Sequence, residues 1–204
     1  MAMESEEDRK DRDEELVRAA LAAPEGDLRA FEQLVQLYQK RILANCRYLT
    51  RDENNFEDLA QEVFVKAYFG LRSFEGRSTF RHWLQRIKVN HCLNHVRRRG
   101  GGTDLSIEEQ GVEEHQQLQI PATADADLDA REDRERIAAV LNAMPATLRV
   151  PLIMRDMDDF SYEEVAKALR IGLSAAKMRI KRAREQFRRL YEGRGNATRE
   201  PRTE

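Results

Sequence analysis

Apolar side chains recur at steps of three and four residues along most of this chain, and no convincing run of β-type alternation interrupts them. Phe31, Leu34, Val35, Tyr38, Ile42 and Cys46 form one such series; Phe56, Leu59, Ala60, Val63, Phe64, Ala67 and Tyr68 form another. A 3.6-residue period places each series on one side of an α-helix, so the expected fold class is all-α. Helices are expected near residues 14–22, 28–49, 55–71, 79–98 and again from about 129. The first stops at Ala23-Pro24-Glu25-Gly26, where proline and glycine end the pattern. The fourth, capped by Thr79 or Ser78, carries Phe80, Trp83, Leu84 and Ile87 on one flank and Val89, Leu93 and Val96 on another. A helix apolar on two flanks belongs in the middle of a bundle.

Charge divides the chain more sharply than periodicity does. The 35 basic and 37 acidic residues nearly cancel, yet residues 72–99 carry eight bases and one acid, and residues 170–191 repeat that balance. Between them, residues 101–136 hold eleven acids and three bases, and residues 1–15 hold eight acids and three bases. Arg99-Gly100-Gly101-Gly102 breaks the helical pattern, and the stretch beyond is poor in large apolar residues. The expected organisation is an acidic N-terminal segment (1–13), a helical bundle (14–99), a flexible acidic linker (100–128), a C-terminal domain (129–192) and a disordered tail (193–204). Two basic blocks around an acidic spacer are the electrostatic footprint of a nucleic-acid binder with two sites.

Several classes are disfavoured. Cys46 and Cys92 cannot build a disulfide framework, and no CxxC pair offers a zinc site. His91, Cys92 and His95 lack a fourth ligand, so no metal and no cofactor is expected. No phosphate loop or nucleophile–base pair is present, which argues against an enzyme. No apolar stretch approaches the ~20 residues that span a bilayer, and residues 1–15 do not resemble a signal peptide, so the expected location is the cytoplasm.

The C-terminal block has a recognisable local plan. Ser161-Tyr162-Glu163-Glu164 reads as a capping box, with Val165, Ala166 and Leu169 turned inward behind it. Arg170-Ile171-Gly172 reads as a turn in which the glycine takes the left-handed conformation, and Ser174 as the cap of the next helix. In that helix Ala176, Ile180, Ala183, Phe187 and Leu190 mark a buried stripe. Ser174, Met178, Lys181, Arg182, Glu185, Arg188 and Arg189 lie opposite, with Lys177 at the edge. This is the helix-turn-helix plan, whose second helix enters the major groove.

In the N-terminal block Asp58 and Glu62 lie one turn apart with Gln61 and Lys66 on the same polar face. That face reads as a protein-docking surface, a solvated face or, least favoured for want of a cleft or partner group, an acid–base pair. Residues 80–90 interleave Arg81, Arg86 and Lys88 with Phe80 and Trp83, and Asn90 and Asn94 follow one turn apart. Exposed bases are held by such mixtures of aromatic and cationic groups, although Trp83 also fits a simple core role.

These stretches resemble a family. Asp58-Leu59-Ala60-Gln61-Glu62-Val63-Phe64, the helix from Phe80 to Arg98, and Ser161-Tyr162-Glu163-Glu164-Val165-Ala166 through Lys177-Met178-Arg179-Ile180-Lys181-Arg182-Ala183-Arg184 are similar, in order, to the sigma factors of bacterial RNA polymerase. The likeness is to the small extracytoplasmic-function group. The resemblance implies a region 2-type bundle tethered to a region 4-type helix-turn-helix domain. It implies that Asp58, Gln61 and Glu62 face the clamp helices of the polymerase's largest subunit. It also implies that the loop at residues 74–79, with Phe74, Arg77 and Ser78, receives a flipped −10 base beside Trp83, Arg86, Asn90 and Asn94. Ser174, Lys177, Met178, Lys181, Arg182 and Arg188 would face the −35 element. The family commonly has Gly-Thr-Val where this chain has Ser174-Ala175-Ala176; Met178 offers a thymine methyl van der Waals contact in place of a hydrogen bond. The implied partners are core RNA polymerase, promoter DNA and an anti-sigma protein, through which any membrane contact would run. The alternative is a stand-alone helix-turn-helix regulator with a dimerising or sensing bundle.

Overall fold

Ser5 is the first described residue, and it starts a helix. Its hydroxyl accepts from the Asp8 amide at 3.0 Å while the Asp8 carboxylate accepts from the Ser5 amide at 3.1 Å, a reciprocal cap for α1 (Glu6–Ala22). The computed structural model describes residues 5–98 and 128–197, and every element among them is helical. They fall into two compact units divided between Gly100 and Gly101.

In the first unit α1 is followed by α2 (Arg29–Thr50), α3 (Phe56–Gly70), a 3₁₀ turn (Leu71–Ser73) and α4 (Phe80–Arg98). The helix α1 starts eight residues earlier than its apolar pattern, which begins only near Glu14. Its cap and the Lys10–Glu14 pair at 3.8 Å support the polar turns that carry the helix expected from Glu14 back to Glu6. The Tyr38 hydroxyl on α2 donates to the buried Asp13 carboxylate of α1; burial and that carboxylate raise the phenol pKa well above its ordinary value.

The core follows the sequence pattern closely. Phe31, Leu34, Tyr38, Ile42, Cys46 and Leu49 are buried from α2, and Leu59, Ala60, Val63 and Ala67 from α3. Asp52, in the α2–α3 turn, accepts from the Asn55 side-chain amide at 3.0 Å and sits 2.8 Å from His95 Nε2, tying the turn to α4. The helix α4 packs against α1, α2 and α3 and buries Phe80, Leu84, Gln85, Lys88, Val89, Cys92 and Leu93. This is the central helix its two apolar flanks require. Cys92 lies with its Sγ 3.6 Å from that of Cys46; both are buried, and the two are not joined in a disulfide.

The second unit holds α5 (Leu128–Ala143), α6 (Ala146–Leu152), a π turn (Ile153–Met157), α7 (Tyr162–Leu169) and α8 (Leu173–Ala197). Pro151 lies inside α6, cannot donate to the carbonyl one turn back, and is followed directly by the π turn. The packed face of α8 meets α5, α6 and α7 and buries Ala176, Ile180, Ala183 and Phe187. Two expectations need correction here. The left-handed residue after α7 is Arg170 (φ 58°), closed by the Ile171 amide on the Ala166 carbonyl at 3.0 Å, and Gly172 has no positive φ. Gly172 instead precedes α8, its carbonyl accepting from the Ala176 amide at 3.0 Å, so Ser174 lies inside the helix and does not cap it. The helix also continues to Ala197, through the first residues of the expected tail, since no proline stops it before Pro201. The expected linker, apart from its last residue, and the end of the tail lie outside the described residues.

Candidate nucleic-acid interface

Helix α4 leaves one narrow strip of its surface free. At 100° per residue Trp83, Arg86, Asn90, Asn94 and Arg97 fall within an arc of about 80°, and Arg86, Asn90, Asn94 and Arg97 are all exposed. The Thr79 hydroxyl caps the helix by accepting from the His82 amide at 3.2 Å. Arg97 donates to Asn94 Oδ1 at 3.4 Å, which leaves the amide nitrogen of Asn94 facing outward chemistry as a donor.

At the N-terminal end of this strip stands an aromatic cluster. The Trp83 ring lies 5.2 Å from Phe74 and 5.7 Å from Phe80, and Phe80 lies 5.8 Å from Tyr38. Trp83 also covers the end of α3, where a methyl group added at Gly70 would sit 3.4 Å from its Cζ2. Phe74 and Trp83 are both half-buried, held by this packing at the surface of the unit. The connecting loop turns through Gly76 (φ +68°), holds Ser78 half-buried and exposes Arg77, which pairs with Glu75. The structure thus brings Phe74, Trp83, Arg86, Asn90 and Asn94 onto one edge, with Arg77 and Ser78 on the adjoining loop.

Asp58, Gln61 and Glu62 are exposed on α3. Glu62 lies 3.6 Å from Lys66 Nζ and 3.0 Å from His91 Nε2, the latter off the line that a hydrogen bond needs. Burial and the Lys66 charge hold His91 below its ordinary pKa despite that carboxylate. The two exposed carboxylates share an open face of α3 with Lys66, an arrangement that suits a charge-complementary partner surface.

Helix α8 presents its other face outward. Ser174, Lys177 and Arg188 are exposed, and Met178, Lys181 and Arg182 are half-buried. The capping box of α7 is present, Ser161 Oγ accepting from the Glu164 amide at 3.1 Å and Glu164 accepting from the Ser161 amide at 3.0 Å. Three residues that sequence alone did not single out set the pose of α8. Arg184 is 5% exposed and forks onto Asp156 of the π turn. The Tyr162 ring lies between Arg155 at 4.9 Å and Lys177 at 5.8 Å. Arg136 lies 3.8 Å over the Tyr191 ring and donates to the Tyr191 carbonyl at 2.8 Å, clipping α5 to α8. None of these contacts has a short-range sequence signal.

Comparison with known proteins agrees with this geometry. Residues 34–101 match the family Sigma-70 region 2, and residues 134–187 match the family Sigma-70, region 4. The chain is 33% identical over 167 residues to the RNA polymerase sigma-H factor of Pseudomonas aeruginosa, covering 78% of this chain and 85% of that protein. It is likewise 33% identical over 165 residues to the ECF RNA polymerase sigma-E factor of Escherichia coli, with 78% and 85% covered. Among solved structures, the sigma factor RpoE of Bartonella quintana, in complex with the anti-sigma factor NepR, is similar with a TM-score of 0.53 and 27% identity, covering 79% of this chain and 96% of that one. CnrH, in complex with the cytosolic domain of CnrY, shares the fold with a TM-score of 0.55 and 24% identity, covering 90% and 99%.

Proposed function

Because this chain belongs to the sigma-70 family as a sigma factor of the ECF type, we propose that it rides on core RNA polymerase and directs promoter-specific transcription initiation through two separate DNA-reading modules. Sigma factors are non-catalytic initiation factors, and the chemistry of RNA synthesis belongs to the polymerase. No described helix is long and apolar enough to cross a membrane, and the chain works wherever its polymerase does, in the cytoplasm.

The observation that carries the reading is the outward face of α8: cations and Met178 stand opposite a packed stripe in a helix placed by a capped helix-turn-helix. Ser174, Lys177, Met178 and Lys181, on its N-terminal half, would meet base edges of the −35 element, and Arg182 and Arg188 the flanking phosphates. The edge formed by Phe74, Arg77, Ser78, Trp83, Arg86, Asn90 and Asn94 would hold the −10 strand once it is single. Flipping a base from the stack costs a few kcal/mol; stacking on aromatics that are already packed in place would offset that cost without reordering. Asp58, Gln61 and Glu62 would dock on the clamp helices of the largest polymerase subunit. With both modules held on one polymerase and joined by the acidic residues 100–127, weak contacts act at high effective concentration. An anti-sigma protein is the expected inhibitor, as the similar sigma factor RpoE of Bartonella quintana is solved in complex with one.

Two substitutions test the division of labour in holoenzyme on a promoter. Arg182→Ala is expected to weaken protection of the −35 region while leaving initiation from a pre-opened template intact. Asn90→Ala should keep −35 protection and lose permanganate reactivity of −10 thymines. If both variants lose the same step, the division of labour is wrong. A palindromic site bound without polymerase would favour the stand-alone regulator.

A further inference from the structure

Val65 and Phe69 are the most exposed large apolar side chains among the described residues, at 53% and 77%. Both lie on α3, and their register is informative. At 100° per residue Asp58, Gln61, Glu62, Val65 and Phe69 share an arc of about 100° on the side opposite Leu59, Ala60, Val63 and Ala67. The outer stripe of α3 therefore begins acidic and ends apolar without leaving one face of one helix. From Asp58 to Phe69 it runs about 16 Å at 1.5 Å per residue, the length over which another helix could lie along it. Phe69 is also braced from behind: its ring meets Tyr68 edge-on at 5.5 Å, and Tyr68 meets Phe31 of α2 edge-on at 5.2 Å.

A braced, solvent-exposed phenylalanine has the properties of an interface anchor. Burying such a ring is worth about 1.5–3 kcal/mol, and aromatic anchors ringed by polar groups carry a disproportionate share of interface energy. The chemistry of the stripe also separates its occupant from DNA. Asp58 and Glu62 would repel phosphates, and the exposed Arg86 and Arg97 lie on the outward strip of α4, a different helix.

We propose that Phe69, with Val65, extends the surface by which α3 docks on core RNA polymerase, Phe69 seating in an apolar pocket of the largest subunit beyond the cations met by Asp58 and Glu62. This rests on the reading of Asp58, Gln61 and Glu62 as polymerase-docking residues, with which the apolar half is continuous. The occupant is then a surface of that subunit that is basic at one end and apolar at the other.

The test uses the full chain and core polymerase, titrated by fluorescence, with Phe69→Ala, Phe69→Leu and Asp58→Ala. Phe69→Ala is expected to weaken affinity for core about 10- to 100-fold, the range that burial of such a ring spans. Phe69→Leu should restore most of it, and the melting temperature should not move. If Asp58→Ala weakens binding and Phe69→Ala does not, the extension is overturned and the docking reading stands. If neither weakens it, both fall. A photocrosslinking p-benzoyl-phenylalanine at position 69, in holoenzyme on promoter DNA, should attach to the largest subunit. Attachment to promoter DNA or to a second copy of the chain would overturn the proposal.

Discussion

Arg184 forks onto Asp156, its Nε donating to Oδ2 at 2.9 Å and a terminal nitrogen to Oδ1 at 2.6 Å, across 28 residues of sequence. The pair joins the C-terminal helix to the π turn that follows Pro151, and the Asp156 side chain is fully buried. The carboxylate holds the guanidinium pKa above its ordinary value, so Arg184 stays charged across all working pH. Its position fixes how α8 lies on its unit and therefore where the outward cations point.

Asp156→Ala is predicted to strand a buried guanidinium, at a cost of about 3–5 kcal/mol. Trp83, the chain's one tryptophan, reports on the other unit. Circular dichroism should therefore show a lost or lowered transition while the Trp83 fluorescence transition stays in place. Coincident shifts of both signals would contradict the assignment.

The turn between α7 and α8 gives a prediction opposite to the one its sequence suggests. Arg170 occupies the left-handed region, where a residue with a Cβ is strained by about 1 kcal/mol, whereas Gly172 does not. Arg170→Gly should raise stability by up to about 1 kcal/mol. Gly172→Ala, with open space around the added methyl, should be nearly neutral. Urea unfolding of the two variants decides it, and a large loss for Gly172→Ala would restore the glycine-centred turn.

Gln85 is fully buried in the middle of α4, and neither its Oε1 nor its Nε2 has a hydrogen-bond partner. An unsatisfied buried polar group costs about 1–3 kcal/mol. Gln85→Met, of similar length and volume, is predicted to move the Trp83-monitored unfolding midpoint upward. A drop of more than 1 kcal/mol would show that the amide is serving a contact.

His91 should make the first unit pH-sensitive. Its pKa is lowered in the folded chain by burial and by Lys66, with smaller effects of His95 and Arg98 in the same direction and Glu62 opposing. On acidification the unfolded chain therefore takes up the proton first, near the ordinary value of 6.5. This contribution to stability is complete above that pH and is lost as pH falls through it toward the lower folded value. His91→Gln should flatten the dependence below about pH 6.5. An unchanged slope would show that another group sets it.

The all-helical fold was legible because its signals are local. The steps of Phe31 to Cys46, the two apolar flanks of α4 and the Ser161–Glu164 box each lie within a few turns, and each forms where its pattern lies. What escaped was either polar or distant. The first turns of α1 have no apolar stripe and depend on a single cap; Arg184 and Asp156 meet only after the chain has turned back. The left-handed residue escaped for another reason: the α7 hydrogen-bond ladder closes at Arg170, and this outweighs the preference of that conformation for glycine. The exposure of Phe69 was also invisible, because period alone assigns it to a face without saying what covers that face.

The account stands most directly on run-off transcription from a promoter bound by the holoenzyme, with purified core polymerase in the presence and absence of the chain. It predicts a discrete promoter-specific transcript only when both are present, and little tight, specific binding of the free chain to the same duplex at physiological salt. Equal initiation by core polymerase alone, or no association between the two, would contradict it.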